Sequence, residues 1–227
     1  MGLSLEVQER RERDLCFRCL KPKLTCYCSQ VRAFSVKPCF VLLQHPIERK
    51  RSVGTARMAH LCIKNSQLIP GREFDHNLEV NRLIDDPGNY CVVLYPGPKS
   101  RDIGLASGSE ISPAHLKLVI FVIDGTWGTA KTMLNKSERL LKLPRICFTP
   151  ERESEYKFRQ QPEKHCLSTI EAVHRMIELL DPSASPGNLL EVFRSMVEQQ
   201  VRFSKAGNIR KLKGNKKDGD IKTVKLD

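Results

Sequence analysis

Four cysteines crowd into thirteen residues near the start of the chain, as Cys16-x-x-Cys19 followed by Cys26-x-Cys28. A tetrahedral zinc ion takes four thiolates at about 2.3 Å, and a Cys-x-x-Cys turn already sets two of them on one side. The segment 16–28 is too short for an apolar core of its own, so metal binding is the physical means of folding it. The bland alternative is four unpaired thiols on a solvated stretch. With Cys16, Cys19, Cys26 and Cys28 filling all four positions, the site is expected to be structural rather than catalytic.

A second constellation lies at Leu118 to Met133, LVIFVIDGTWGTAKTM, which reads as a strand, a tight turn and a helix start. In open α/β sheets ligands bind beyond the carboxyl ends of strands, which is where Asp124-Gly125-Thr126-Trp127 falls. A phosphate-binding P-loop would need a second glycine immediately before the lysine; Ala130-Lys131-Thr132 lacks it. A phosphatase nucleophile two residues before the Asp-Gly-Thr is also missing, since that position is Val122. The local alternative is a helix cap built by Asp124 or Thr126. The only tryptophan of the chain in this loop is better suited to stacking.

Three further groups stand at element ends. Leu94-Tyr95-Pro96-Gly97 closes another apolar run, with a plain turn as its alternative. Ser168-Thr169-Ile170-Glu171 has the spacing of a capping box, which leaves the same helix start available to a ligand. Gln44-His45-Pro46-Ile47-Glu48 leads into Arg49, Lys50 and Arg51, a cluster suited to phosphate or otherwise a solvated loop.

The elements that must position these groups alternate. A polar helical lead-in is expected over 1–15, then strands at 36–44, 66–71, 90–97, 116–124 and 145–148. Helices are expected at 55–65, 77–86, 126–142, 167–180 and 188–204. The runs YCVVLYPG and LKLVIFVID are nearly continuous in apolar residues, as in strands covered on both faces. The pattern predicts an α/β domain with a largely parallel sheet flanked by helices. It divides the chain into a knuckle at 1–30, a catalytic domain at 31–204 and a basic tail at 205–227.

The chain has 227 residues and a formal net charge of +12, with 40% hydrophobic and 28% charged residues. No apolar run reaches the ~20 residues of a membrane helix. The N-terminal segment lacks the apolar stretch of a secretory signal. Nine cysteines without such a signal point to a reducing compartment, so the cytoplasm is expected, or the nucleus in a eukaryotic host. From Ser204 onward eight lysines and arginines face three aspartates, +5 of the total. That tail is a phosphate-binding arm or a frayed terminus.

Taken in order, these motifs resemble the DTW-domain family of tRNA-uridine aminocarboxypropyltransferases, whose name comes from the Asp-x-Thr-Trp element. The resemblance rests on the four-cysteine knuckle, Gln44-His45-Pro46 with Glu48, Leu94 to Gly97, Asp124-Gly125-Thr126-Trp127 and Leu167 to Ala172. It implies a fold similar to the SPOUT class of RNA-modifying enzymes, with S-adenosylmethionine in the carboxyl-end loops. It also implies transfer of the aminocarboxypropyl chain to a tRNA uridine with release of methylthioadenosine.

On that resemblance Asp124, Thr126 and Trp127 are the candidate catalytic residues, and Leu94, Tyr95, Pro96, Gly97, Gly125, Ser168, Thr169 and Glu171 the candidate donor-binding ones. Gln44, His45, Arg49, Lys50, Arg51 and the tail would meet the tRNA. Asp124 as base must be desolvated, since an ordinary aspartate has a pKa of about 3.9, and burial beside Trp127 is the expected cause. Trp127 would stack on the uridine or the adenine, and Glu171 would hold the donor's ammonium. Two other classes fit the same residues in part: a SPOUT-type tRNA methyltransferase, and a non-enzymatic zinc-knuckle RNA-binding protein. A degenerate P-loop nucleotidase is a third.

Overall fold

The computed structural model describes residues 14–50, 54–104, 111–151, 153–156 and 167–214, with the backbone alone for Lys50 and residues 203–214. In chain order the elements are β1 (Cys39–Gln44), α1 (Pro46–Lys50), α2 (Thr55–Cys62), β2 (Ser66–Pro70), α3 (Leu78–Asp85), β3 (Asn89–Leu94) and β4 (Ser100–Asp102). They continue with β5 (Lys117–Asp124), α4 (Trp127–Asn135), α5 (Glu138–Lys142), β6 (Arg145–Cys147), α6 (Thr169–Leu180) and α7 (Gly187–Gly214). Six strands form one sheet in the order β2-β1-β5-β3-β6-β4, with every pairing parallel.

Side chains of a strand alternate between faces, and here each face meets its own helices. Phe40, Leu42, Val92, Ile120 and Val122 pack with residues of α2, α6 and α7. Val41, Leu43, Val93, Val119 and Phe121 pack with residues of α3, α4 and α5. Covering on both sides is why β1 and β5 read as unbroken apolar runs. Cys19 and Tyr27 belong to the first of these cores, so the cysteine segment is fixed to the sheet domain by packing.

Three expectations need correction. The strand expected from Val36 begins at Cys39, because Val36 and Pro38 are held by the Asn65 side chain instead. The helix expected over 126–142 is two helices. The hydroxyl of buried Ser137 donates to Met133 O at 2.8 Å and accepts the Phe74 N–H, while Asp75 accepts from the N–H groups of Glu138 and Arg139. A cap borrowed from a distant segment therefore restarts the helix after Lys136. The last helix runs on to Gly214, so the first ten residues of the basic tail continue α7. Of the lead-in expected at 1–15, only Asp14 and Leu15 are described, and Leu15 pairs antiparallel with Pro22. Residues 215–227 lie outside the described residues.

Candidate active site

The chain leaves β1 toward β2 and leaves β5 toward β6, on opposite sides of the sheet. The crevice at the carboxyl ends of these two strands is therefore the switch point where α/β sheets bind ligands. The register sets Gln44, the last residue of β1, directly beside Asp124, the last of β5. Gln44 Nε2 donates to Asp124 Oδ2 at 3.0 Å, and Thr169 Oγ1 donates to Oδ1 at 2.7 Å. The His45 N–H donates to the carbonyl oxygen of Asp124 at 2.9 Å. Asp124 is only 3% exposed, so its carboxylate is desolvated and oriented from two elements at once. Trp127, expected to provide that burial, is itself 45% exposed.

The turn after Asp124 is built for a close approach. Thr126 is the N-cap of α4, its hydroxyl oxygen accepting from the Thr129 N–H at 3.2 Å. Thr129 Oγ1 lies 3.0 Å from Thr126 Oγ1 and also 3.0 Å from the Thr126 carbonyl. A Cβ on Gly125 would stand 2.6 Å from Thr129 Oγ1 and 3.3 Å from the Ala130 nitrogen. Only glycine fits there without displacing the threonine pair. The indole of Trp127 meets Tyr95 edge-on, with ring centroids 6.2 Å apart. Burial pushes the Tyr95 phenol pKa up, and nearby Arg145 acts in the opposite direction. Leu94 and Tyr95 are half-buried at the end of β3, whereas Pro96 and Gly97 are exposed in the turn beyond it.

At the start of α6 the capping box forms as the spacing predicts. Glu171 Oε2 accepts from Ser168 N at 2.8 Å, Ser168 Oγ at 2.5 Å and Ser154 Oγ at 2.8 Å; Oε1 accepts from Glu155 N at 2.7 Å. Three of these donors meet Oε2 and one meets Oε1, which gives Glu171 a positioning role. It fastens residues 154–155 to the helix start that presents Thr169. Arg175 pairs with Glu151, and Arg194 takes Glu155 through two bonds, securing the same segment to α6 and α7.

The residues expected to face RNA divide. Gln44 is 1% exposed and committed to Asp124, which removes it from a surface role. Gln44 ends the strand expected at 36–44, and only the pairing register shows that its side chain meets Asp124 rather than the surface. His45 is buried as well. Its Nδ1 accepts from the Ile47 N–H at 3.2 Å, and burial, then Arg72, hold the imidazole pKa below its ordinary value. Arg49 is exposed on α1; the Lys50 side chain and Arg51 lie outside the described residues.

The four cysteine sulfurs lie within 4.8 Å of one another. Cys16 and Cys28 are 3.7 Å apart, as are Cys19 and Cys26. Tetrahedral coordination at about 2.3 Å requires sulfurs about 3.8 Å apart, so the cluster fits a zinc-sized ion. Leu20 adopts φ 58°, the left-handed turn that lets Cys16 N donate to Lys21 O and Leu20 N to Cys16 O. Backbone N–H groups of Cys19 and Arg18 lower the Cys16 thiol pKa to about 6, whereas burial raises those of Cys19 and Cys28.

A family model for the DTW domain matches residues 13–201, from the cysteine knuckle into α7. The chain belongs to the DTW-domain family. Among curated proteins, tRNA-uridine aminocarboxypropyltransferase 2 of Drosophila melanogaster is 29% identical over 188 residues, covering 80% of this chain and 71% of that protein. The Mus musculus protein of the same name is 29% identical over 219 residues, covering 90% and 70%. tRNA-uridine aminocarboxypropyltransferase A of Arabidopsis thaliana is 26% identical over 233 residues, covering 88% and 86%. No solved structure matches the chain. Among the described residues of this DTW chain, no helix is long and apolar enough to cross a membrane.

Proposed function

We propose that this protein is a tRNA-uridine aminocarboxypropyltransferase. It takes the 3-amino-3-carboxypropyl group from S-adenosylmethionine and releases methylthioadenosine. The observation that carries this reading is the meeting of Asp124, Gln44 and Thr169 beneath the Thr126–Trp127 turn, in a chain of the DTW family. Curated relatives across animals and a plant bear that activity in their names.

The chemistry assigns a task to each group. The uracil nitrogen between the two carbonyls loses its proton and attacks the γ-carbon of the donor. The carbon–sulfur bond breaks, and its electron pair neutralises the sulfonium. Asp124, held by Gln44 and Thr169, is the acceptor toward which that proton is directed. Trp127, exposed and steadied edge-on by Tyr95, is the surface on which the uracil stacks, an interaction worth about 1–3 kcal/mol per base. Tyr95, Pro96, Gly97, Gly125 and Thr126 form the turns around the donor, and Ser168 with Glu171 fixes the helix start beside it. Regiochemistry follows from presenting the γ-carbon, rather than the methyl, in line with the nitrogen. Arg49, Lys50, Arg51 and the basic C-terminal stretch serve the RNA backbone without reading sequence. Zinc held by Cys16, Cys19, Cys26 and Cys28 would supply folding energy to the knuckle.

The test is the sulfur product formed from S-adenosylmethionine when tRNA is added. Methylthioadenosine supports the reading. Adenosylhomocysteine would mean methyl transfer and contradict it.

A further inference from the structure

The guanidinium of Arg145 occupies a position that no other part of the site explains. Arg145 opens β6 and pairs with Val93 on one side and Ser100 on the other. Val93 lies in the core on the α3–α5 side, so Arg145 shares that face of the sheet. Its side chain reaches upward past Tyr95, whose phenol it influences electrostatically, to within 3.9 Å of where a Gly97 Cβ would stand. At that distance a Cβ at 97 would be in ordinary van der Waals contact with the guanidinium.

Four other arginines have carboxylate partners, Arg82 with Glu79, Arg139 with Asp85, Arg175 with Glu151 and Arg194 with Glu155, whereas the half-buried Arg57 has none among the described residues and lies away from the strand ends, on α2. No carboxylate among the described residues pairs with Arg145, although it is half-buried. A half-buried guanidinium with no carboxylate beside it keeps its fork of donors open to an anionic ligand. Beside it run the Tyr95 ring and then the exposed indole of Trp127, 6.2 Å from Tyr95 centre to centre. An unpaired planar cation next to an aromatic pair, at the carboxyl edge of the sheet, suits a ligand that is aromatic at one end and anionic at the other. Guanidinium binds phosphate and carboxylate oxygens bidentately, with geometric as well as electrostatic selectivity.

We propose that Arg145 is the oxyanion-binding residue of this site. It takes either an RNA phosphodiester next to the base held on Trp127, or the carboxylate at the amino acid end of the donor. The proposal rests on the transferase reading, but both sources share one chemistry and binding alone tells them apart.

The experiment uses the full chain as wild type, Arg145→Gln and Arg145→Lys. Each is measured for tRNA affinity at several salt concentrations without donor, and for S-adenosylmethionine affinity by calorimetry without RNA. Loss of a charge-assisted contact should weaken one of the two by about tenfold to a hundredfold in Arg145→Gln. The lysine variant should fall between, since it keeps the charge and loses the fork. If the ligand is a phosphodiester, tRNA affinity drops and its logarithmic salt slope shrinks by about one, with donor affinity intact. If it is the donor carboxylate, calorimetry reports the loss and the salt slope does not move. Unchanged affinity for both ligands in folded Arg145→Gln overturns the proposal. Should that variant fail to melt cooperatively, Arg145→Lys undergoes the same two measurements, and unchanged affinities there overturn it equally. Neither measurement needs turnover, so a wild-type protein that binds both ligands but forms no product refutes the transferase reading instead.

Discussion

Thr169, in the first turn of α6, donates its hydroxyl proton to Asp124 Oδ1 at 2.7 Å across 45 positions of sequence. With Gln44 on the other carboxylate oxygen, the acid is fixed from the neighbouring strand and from the facing helix. This tie converts two motifs far apart in the chain into one site.

Thr169→Val removes the donor and keeps the side-chain shape. Hydrogen bonds to charged groups are worth about 1.5–3 kcal/mol. The expected result is a fall in kcat of about tenfold to a hundredfold, tRNA affinity unchanged, and recovery in Thr169→Ser. Single-turnover kinetics with filter binding read both quantities. Wild-type kcat in the valine variant would show that the bond does not serve the reaction.

Glu171 accepts from Ser168, Ser154 and Glu155 while only 7% exposed. Glu171→Ala leaves those donors unsatisfied and removes the Glu171 half of the capping box, a loss of about 2–4 kcal/mol. Thermal unfolding should shift down by several degrees, with Glu171→Gln intermediate because it keeps one acceptor oxygen. A melting temperature equal to wild type in the alanine variant would remove Glu171 from its positioning role.

Much of this was legible in the residues. The strand-end placement of Asp124-Gly125-Thr126-Trp127, the Ser168–Glu171 capping box and the four-cysteine spacing each carry a local signature that survives folding. What did not show was set by long-range pairing. Gln44 looks like a surface residue until the β1–β5 register places it beside Asp124. Asp75 has no helical signal of its own, yet it caps α5 and so divides the helix expected over 126–142. Arg145 reads only as the start of a short strand, and its position under the Tyr95–Gly97 turn exists only once β6 lies between β3 and β4.

The knuckle provides a metal test. Purified protein should contain about one zinc per chain, released by a strong chelator or by acid as the thiolates protonate. Because Cys19 and Tyr27 are packed into the sheet core, zinc loss should also lower the melting temperature of the whole domain. Cys19→Ser should reproduce that effect. Metal-free protein with an unchanged melting temperature would contradict a structural zinc.

The imidazole pKa values of His45, His60 and His174 are all held below their ordinary value, burial being the first cause in each. The unfolded chain therefore takes up protons at a higher pH than the fold does. Stability is fully present above the ordinary imidazole pKa of about 6.5 and is lost as pH falls below it toward the depressed folded values. With zinc kept saturating, the melting temperature should be lower at pH 5.5 than at pH 7.5. An equal or higher value at pH 5.5 would contradict this.

Wild type and Asp124→Asn are incubated with S-adenosylmethionine and unmodified tRNA, and the digested nucleosides are weighed. Aminocarboxypropyl-uridine from wild type, with none from an Asp124→Asn variant that still binds tRNA, is the result expected. A methylated nucleoside, or no modified nucleoside from wild type on tRNA that it binds, would contradict the account; full activity in Asp124→Asn would remove Asp124 as the proton acceptor.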